Sequence, residues 1–301
     1  MTSMRITQKA VAQTSLQGLN RNLETFGKLQ QQLTSGRLIN APSDSPTGTN
    51  KAMQTRSEQA AVEQFGRNLS DADSWLSITD STLQNMVDVT RRVRDLTVQG
   101  ASTGNSSEAS RRALATEVAS LRESLLGLAN TNIQGRPVFG GVTTGTKAYD
   151  AITGTFQGSV MPGSDVLRRV SFTEQVRVDL SGPEAFGADA DPANLFAVVG
   201  RIADDLLNAP ENLGQGLADL DAAMSRMLGG VADVGARAAR VEREKQINTD
   251  LALRLETELG EVENVDLPNT IMRLQMQQVG YQAALQATAK AISPTLMDYL
   301  R

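Results

Sequence analysis

The chain has 301 residues and, with 34 acidic against 29 basic side chains and a net charge of −5, lacks the basic footprint that nucleic-acid binding needs. Cysteine and histidine are both absent, which removes disulfides, thiolate nucleophiles, the commonest general base and the commonest transition-metal ligand. Aromatic residues make up 4%, with Trp75 the one tryptophan, as suits thin helical layers filled by small repeating side chains.

Residues 1–12 are polar and show no charged stretch leading into an apolar one, so no cleaved secretory signal is expected. No run approaches 18 apolar residues, so no membrane span is expected either. The first helix reads from about residue 4 to Ser35 and stops at Gly36. Ala12, Leu16, Leu19, Leu23, Phe26, Gln30 and Leu33 recur along it at alternating steps of three and four, a narrow coiled-coil stripe. After a turn at residues 40–45, Ser45 caps a second helix with Pro46 at its first position, and this helix runs to about Gly100. Its stripe is Leu69, Ala72, Leu76, Thr79, Leu83, Met86, Thr90 and Val93. Asn105 and Glu108 have the spacing of a capping pair for a third helix, which carries Leu114, Val118, Leu121, Leu125 and Leu128.

Seven glycines between Gly135 and Gly163 end the helical period. The residues 137–139, 155–157, 170–172 and 176–178 then read as short strands of a small antiparallel insert. Asp191-Pro192 restarts helix, with Leu195, Val199, Ile202 and Leu206 on one face. The longest heptad follows, from Gln215 to about Val262, with Gly229, Gly230 and Gly235 as tolerated glycines. Pro268 marks a joint before a terminal helix striped by Ile271, Leu274, Gln278, Tyr281, Leu285, Thr288 and Ile292.

Each terminal stripe must be buried, and the complementary stripe lies at the opposite end of the same chain. The expected fold is therefore mainly α: a long antiparallel helical rod with coiled-coil termini and a small inserted β domain. The expected divisions are residues 1–41 with 265–301 for the terminal pair, 42–135 with 191–264 for the rod, and 136–190 for the insert. A short linker is expected to replace the insert without unfolding the rod.

No phosphate-binding glycine loop is present. The acidic groups Asp71/Asp73, Asp204/Asp205 and Glu258/Glu261/Glu263 read as water-facing helix positions, and Arg91, Arg92, Arg94, Arg111 and Arg112 as solvated helix faces paired with nearby acids. No catalytic, cofactor or metal site is expected, and the chain does not read as an enzyme. Gln30, Asn248 and Gln278 fall on stripe positions, where they either fix register or are simple polar gaps.

Several strings resemble flagellin and its relatives. Leu33-Thr34-Ser35-Gly36-Arg37-Leu38-Ile39-Asn40-Ala41-Pro42-Ser43-Asp44 is similar to the family's Ser-Gly turn leading through an Ile-Asn pair to an acidic turn, and Val234-Gly235-Ala236-Arg237 with Val241-Glu242 is similar to its downstream rod signature. Asn132 to Gly141 and Leu296-Met297-Asp298-Tyr299-Leu300 resemble members placed between hook and filament more than the filament subunit. The resemblance spans roughly residues 1–135 and 195–301. It implies a structural adaptor ring, exported by the flagellar type III route to the extracellular flagellum. Its implied partners are hook-associated protein 1, flagellin, further copies of itself and a cytoplasmic export chaperone. The implied assembly interface is Leu16, Leu19, Leu23, Phe26, Leu33, Ile271, Leu274, Tyr281, Leu285 and Ile292. A minor flagellin, and more remotely a coiled-coil enzyme with a site in the β insert, remain open alternatives.

Overall fold

The computed structural model describes residues 8–102, 107–143, 145–160 and 165–292. Two compact units are present, residues 1–61 with 252–301, and residues 62–251. The divisions fall within two long helices, α2 (Pro46–Ala101) and α6 (Leu213–Glu263), which pack antiparallel.

In the first unit, α1 (Gln8–Ser35) packs antiparallel against α7 (Leu267–Ile292). α1 ends where Gly36 takes φ +71°, a left-handed conformation that a side chain would oppose. α2 starts as expected, with Ser45 Oγ accepting from the Gly48 N–H at 3.1 Å and Pro46 opening the first turn. α7 starts with Asp266, whose carboxylate accepts from the Asn269 N–H at 3.2 Å.

In the second unit every member of the α2 stripe from Leu69 to Val93 is buried. The hydroxyls of Thr79, Thr90 and Thr97 donate to the carbonyls of Trp75, Met86 and Val93 at 2.7–2.8 Å, so these threonines enter the core with no unmet polar group. Asn248 on α6 donates to the Val62 carbonyl at 3.0 Å and faces Gly66 of α2. Among the α6 glycines, Gly229 and Gly235 face open space, whereas a Cβ at Gly230 would come within 3.2 Å of Leu180.

α3 (Glu108–Ala129) is capped by Ser107, whose hydroxyl accepts from the Ser110 N–H at 3.2 Å; Asn105, the expected cap, lies outside the described residues. α5 (Leu195–Asn208) packs on α3 and begins four residues after Asp191. Asp191-Pro192 forms a turn instead, and Asn194 caps the helix by accepting from Phe196 and Ala197 at 3.0 and 3.1 Å. A short helix, α4 (Gly182–Phe186), precedes it.

The chain is mainly helical, and the expected small antiparallel β segment is present with different strand bounds. It consists of two separate antiparallel hairpins, β1 (Asn132–Ile133) with β2 (Arg136–Pro137), and β3 (Leu167–Arg169) with β4 (Gln175–Arg177). Gln134 and Gly135 close the first at φ 51° and 79°, the paired left-handed geometry of a two-residue hairpin turn. Val170 and Ser171 are turn, not strand, both donating to the Glu174 carbonyl, and Phe156 makes only an isolated bridge to Tyr149.

Nor does the segment stand apart from the rod. Phe139, Tyr149 and Phe186 cluster with Phe196 of α5, ring centroids 4.7–6.0 Å apart, and all four are buried in one continuous core with α2, α3 and α6 residues. Arg168 pairs with Asp71 at 2.7 Å, Arg240 with Glu174, and Arg237 donates to the Asp179 carbonyl at 2.7 Å. Replacing residues 136–190 by a linker would uncover this shared core, contrary to the sequence-based expectation.

Candidate assembly surface

The covered face of α1 consists of Leu19, Asn22, Phe26, Leu29 and Leu33, and that of α7 of Leu274, Gln277, Tyr281, Ala284 and Thr288, all half-buried. This includes Leu19, Phe26, Leu33, Leu274 and Tyr281 of the expected stripes. Leu16, Leu23, Ile271 and Leu285 lie outside it, 43–54% exposed. Gln30 and Gln278 are also exposed, so neither sits in the helix pair. The polar contact is made one position away, where Gln277 Nε2 donates to the carbonyl and side-chain oxygens of Asn22 at 3.2 and 3.1 Å. Ile292, Ala12 and the ending string 296–300 lie outside the residues whose side chains are described.

α7 carries further apolar residues, Met272, Met276 and Val279, on the side turned from the covered face, and all three are exposed. Among the described side chains of α1 and α7, no apolar one is fully buried. The pair is thus a helical surface with apolar side chains left uncovered around much of its circumference, the property expected of a segment that associates further.

The string from Leu33 to Asp44 builds a clasp beside this pair. Val265 N–H donates to the Gly36 carbonyl at 3.1 Å, and Leu38 N–H to the Glu263 carbonyl at 2.6 Å. Gln32 Nε2 holds the Leu38 carbonyl at 2.9 Å. Asp44 accepts from the N–H groups of Ala41 and Asn40 at 3.0 and 3.2 Å, which hold its carboxyl below the ordinary value. Under the clasp, Glu263 is 7% exposed and pairs with Arg56 at 2.7 Å. The acidic group at the end of α6 therefore does not face water throughout: Glu258 pairs with Lys51, and Glu263 is interior. Arg37, Ile39, Ala41, Met53, Arg56 and Glu263 line an open groove of about 380 Å³ here.

The string from Asn132 to Gly141 forms the first hairpin and its exit. Arg136 lies 5.9 Å from the Trp75 ring centre, a cation–π contact. Asn130 braces the region, donating to the Tyr149 carbonyl and accepting from the Ala148 and Tyr149 N–H groups, each at 2.9 Å. Tyr149 is pushed above the ordinary tyrosine value by burial and by the Asp189 charge, so it stays neutral. Arg177 is bound by Asp165, Asp179 and Glu184 at 2.9–3.1 Å. Burial opposes ionisation of Glu184, but the Arg177 guanidinium and the Ser181 N–H outweigh it and hold the carboxyl below its ordinary value. Such a locked ion cluster fastens the fold. Among the described residues, no group of His, Cys, Asp and Glu is set to hold a metal, and no helix is long and apolar enough to cross a membrane.

The model of the bacterial flagellin N-terminal helical region matches residues 6–144, and the chain is similar to structural proteins of the bacterial flagellum. It is 25% identical to flagellar hook-associated protein 3 of Escherichia coli over 94% of this chain and 96% of that one, and 24% identical to the Salmonella typhimurium protein of the same name over 96% of each. The crystal structure of Bacillus cereus FlgL shares the fold at a TM-score of 0.60 and 21% identity, covering 69% of this chain and 99% of that one.

Proposed function

We propose that this chain is the junction subunit between hook and filament, a ring layer with one face toward hook-associated protein 1 and the other toward the first flagellin layer. The observation that carries this reading is its similarity to hook-associated protein 3 over nearly the whole length of both chains. Residues 1–41 and 265–301 form the inner tube of the assembled layer, with Leu16, Leu19, Leu23, Phe26, Leu33, Ile271, Leu274, Tyr281, Leu285 and Ile292 in its interfaces. Residues 42–135 and 191–264 form the surrounding rod, and residues 136–190 face outward.

A curved, bending hook and a stiff filament have different lateral contacts, and an intervening layer compatible with each relieves the mismatch. Before export by the type III route, an export chaperone covers the apolar α7 surface. Immunogold labelling of intact flagella tests the reading: a single band at the distal end of the hook is expected. Labelling along the shaft would make the chain a filament subunit instead. In a deletion strain, hooks should persist while flagellin is released into the medium.

A further inference from the structure

One exposed side chain stands on unusually well-fixed backbone. The Asp150 N–H donates to the Thr155 carbonyl at 3.0 Å and the Gln157 N–H to the Ala148 carbonyl at 2.8 Å, closing a narrow loop. At its tip Asp150 Oδ1 accepts from the N–H groups of Ile152 and Thr153 and from the Thr153 hydroxyl at 2.8–3.0 Å. Gly154 takes φ +73° and returns its N–H to the Asp150 carbonyl at 3.0 Å. From beneath, Arg122 of α3 donates to the carbonyls of Ile152 and Thr153 at 3.4 and 3.1 Å, and to that of Phe196 on α5 at 3.0 Å. The polar groups of the turn are thus tied down while the Ile152 side chain stands 85% exposed.

A lone exposed isoleucine is ordinary on a protein surface. This one differs because its backbone is already ordered, so burying it against a partner costs little further conformational entropy. The same unit carries a fitting hollow. Between α2 and α6 a groove of about 340 Å³ is lined by Val87, Leu228 and Val231, with Gln84, Asp88 and Arg91 at its edge. Asp88 and Arg91 pair at 2.9 Å, giving the edge one charge of each sign, and Lys147 and Asp150 supply one of each beside the knob. The turn is fastened to α3 and α5 with Ile152 exposed there, so the chain's own knob does not fill its own groove between α2 and α6.

We propose that Ile152 of one copy seats in the α2–α6 groove of the next, a head-to-tail contact that joins successive subunits. This rests on the reading that copies of the chain pack together in the flagellum. The absence of cysteine makes a direct test clean. In flagella isolated from cells carrying Ile152→Cys with Leu228→Cys, mild oxidation is expected to give disulfide-linked dimers and higher multiples that collapse on reduction, while each single variant stays monomeric. Assembled flagella without multiples from the double variant, or dimers from a single variant, would overturn the contact. A ladder ending at a few copies fits a ring. One that continues without limit retains the contact and removes the junction reading. Should the double variant not assemble, Ile152→Ser decides: at least a tenfold loss of filaments with normal secretion is expected, and wild-type filament numbers overturn the proposal.

Discussion

Gln277 of α7 reaches across to Asn22 of α1 and donates to both of its oxygens, at 3.2 Å to the carbonyl and 3.1 Å to the side chain. The surrounding half-buried positions are mostly apolar or small, and those can slide past one another, whereas this contact is made in one register only. Gln277→Ala is expected to cost about 0.5–1.5 kcal/mol. The sharper expectation is for the pair Asn22→Leu with Gln277→Leu, which should keep helix content but populate more than one register. Spin labels at Leu19 and Leu274 would read a broadened distance distribution; a single sharp distance would show that packing alone sets the register.

Charge placed on the two faces of α7 should fail in different ways. Leu285 is exposed in the described structure, so Leu285→Asp should leave helicity within a few per cent of the parent, yet an assembly that desolvates it would lose several kcal/mol per subunit. Tyr281 faces the pair, so Tyr281→Asp should reduce helicity in the isolated protein first. Circular dichroism and filament counts on complemented null cells separate the two, and wild-type filament numbers with Leu285→Asp would remove it from the assembly surface.

Arg56→Met leaves the interior Glu263 carboxylate without its ion partner. Arg56 is itself partly solvated, so the loss is set at about 1–3 kcal/mol, less than for a wholly buried pair. Hydrogen exchange at the Leu38 and Val265 amides, the two donors of the clasp, should accelerate together by one to two orders of magnitude. Unchanged protection at both would mean that Arg56 does not support the clasp.

Acid should release the turn that ends the clasp. The Ala41 and Asn40 N–H groups hold the Asp44 carboxyl below its ordinary value of 3.8. A lowered folded value means that the contribution is fully present above 3.8 and is lost as pH falls through the folded value. An NMR titration should therefore move the Ala41 and Asn40 amides together, with a midpoint below 3.8. A midpoint at or above the ordinary value would contradict the assigned bonds, and Asp44→Asn should abolish the titration.

What could be read from the chain depended on whether one face or several were apolar. The α2 stripe and Leu195, Val199, Ile202 and Leu206 of α5 were legible because polar residues fill the other faces, leaving one solution for burial. α7 is apolar on nearly all sides, so its period could not say that Ala284 and Gln277, not Leu285 and Gln278, meet α1. Asn22 carried no signal because a polar residue in a helix contact looks like any solvated one. Glu263 was misplaced for a related reason: Arg56 lies 207 positions away in the chain. In the 136–190 segment, Phe139, Tyr149 and Phe186 share a core with Phe196 of α5, a partner that the local β-prone pattern around Phe139 does not reveal.

The clasp has a topological consequence. By joining Gly36 and Leu38 to Glu263 and Val265, it closes everything between into a loop without a covalent bond. The entropic cost of such a closure rises as the logarithm of loop length, by about 0.6 kcal/mol for each doubling. Once closed, the loop constrains the intervening chain from its own ends, whatever the terminal helices do. The terminal helices α1 and α7 lie outside that circuit along the chain, paired with each other through Gln277 and Asn22.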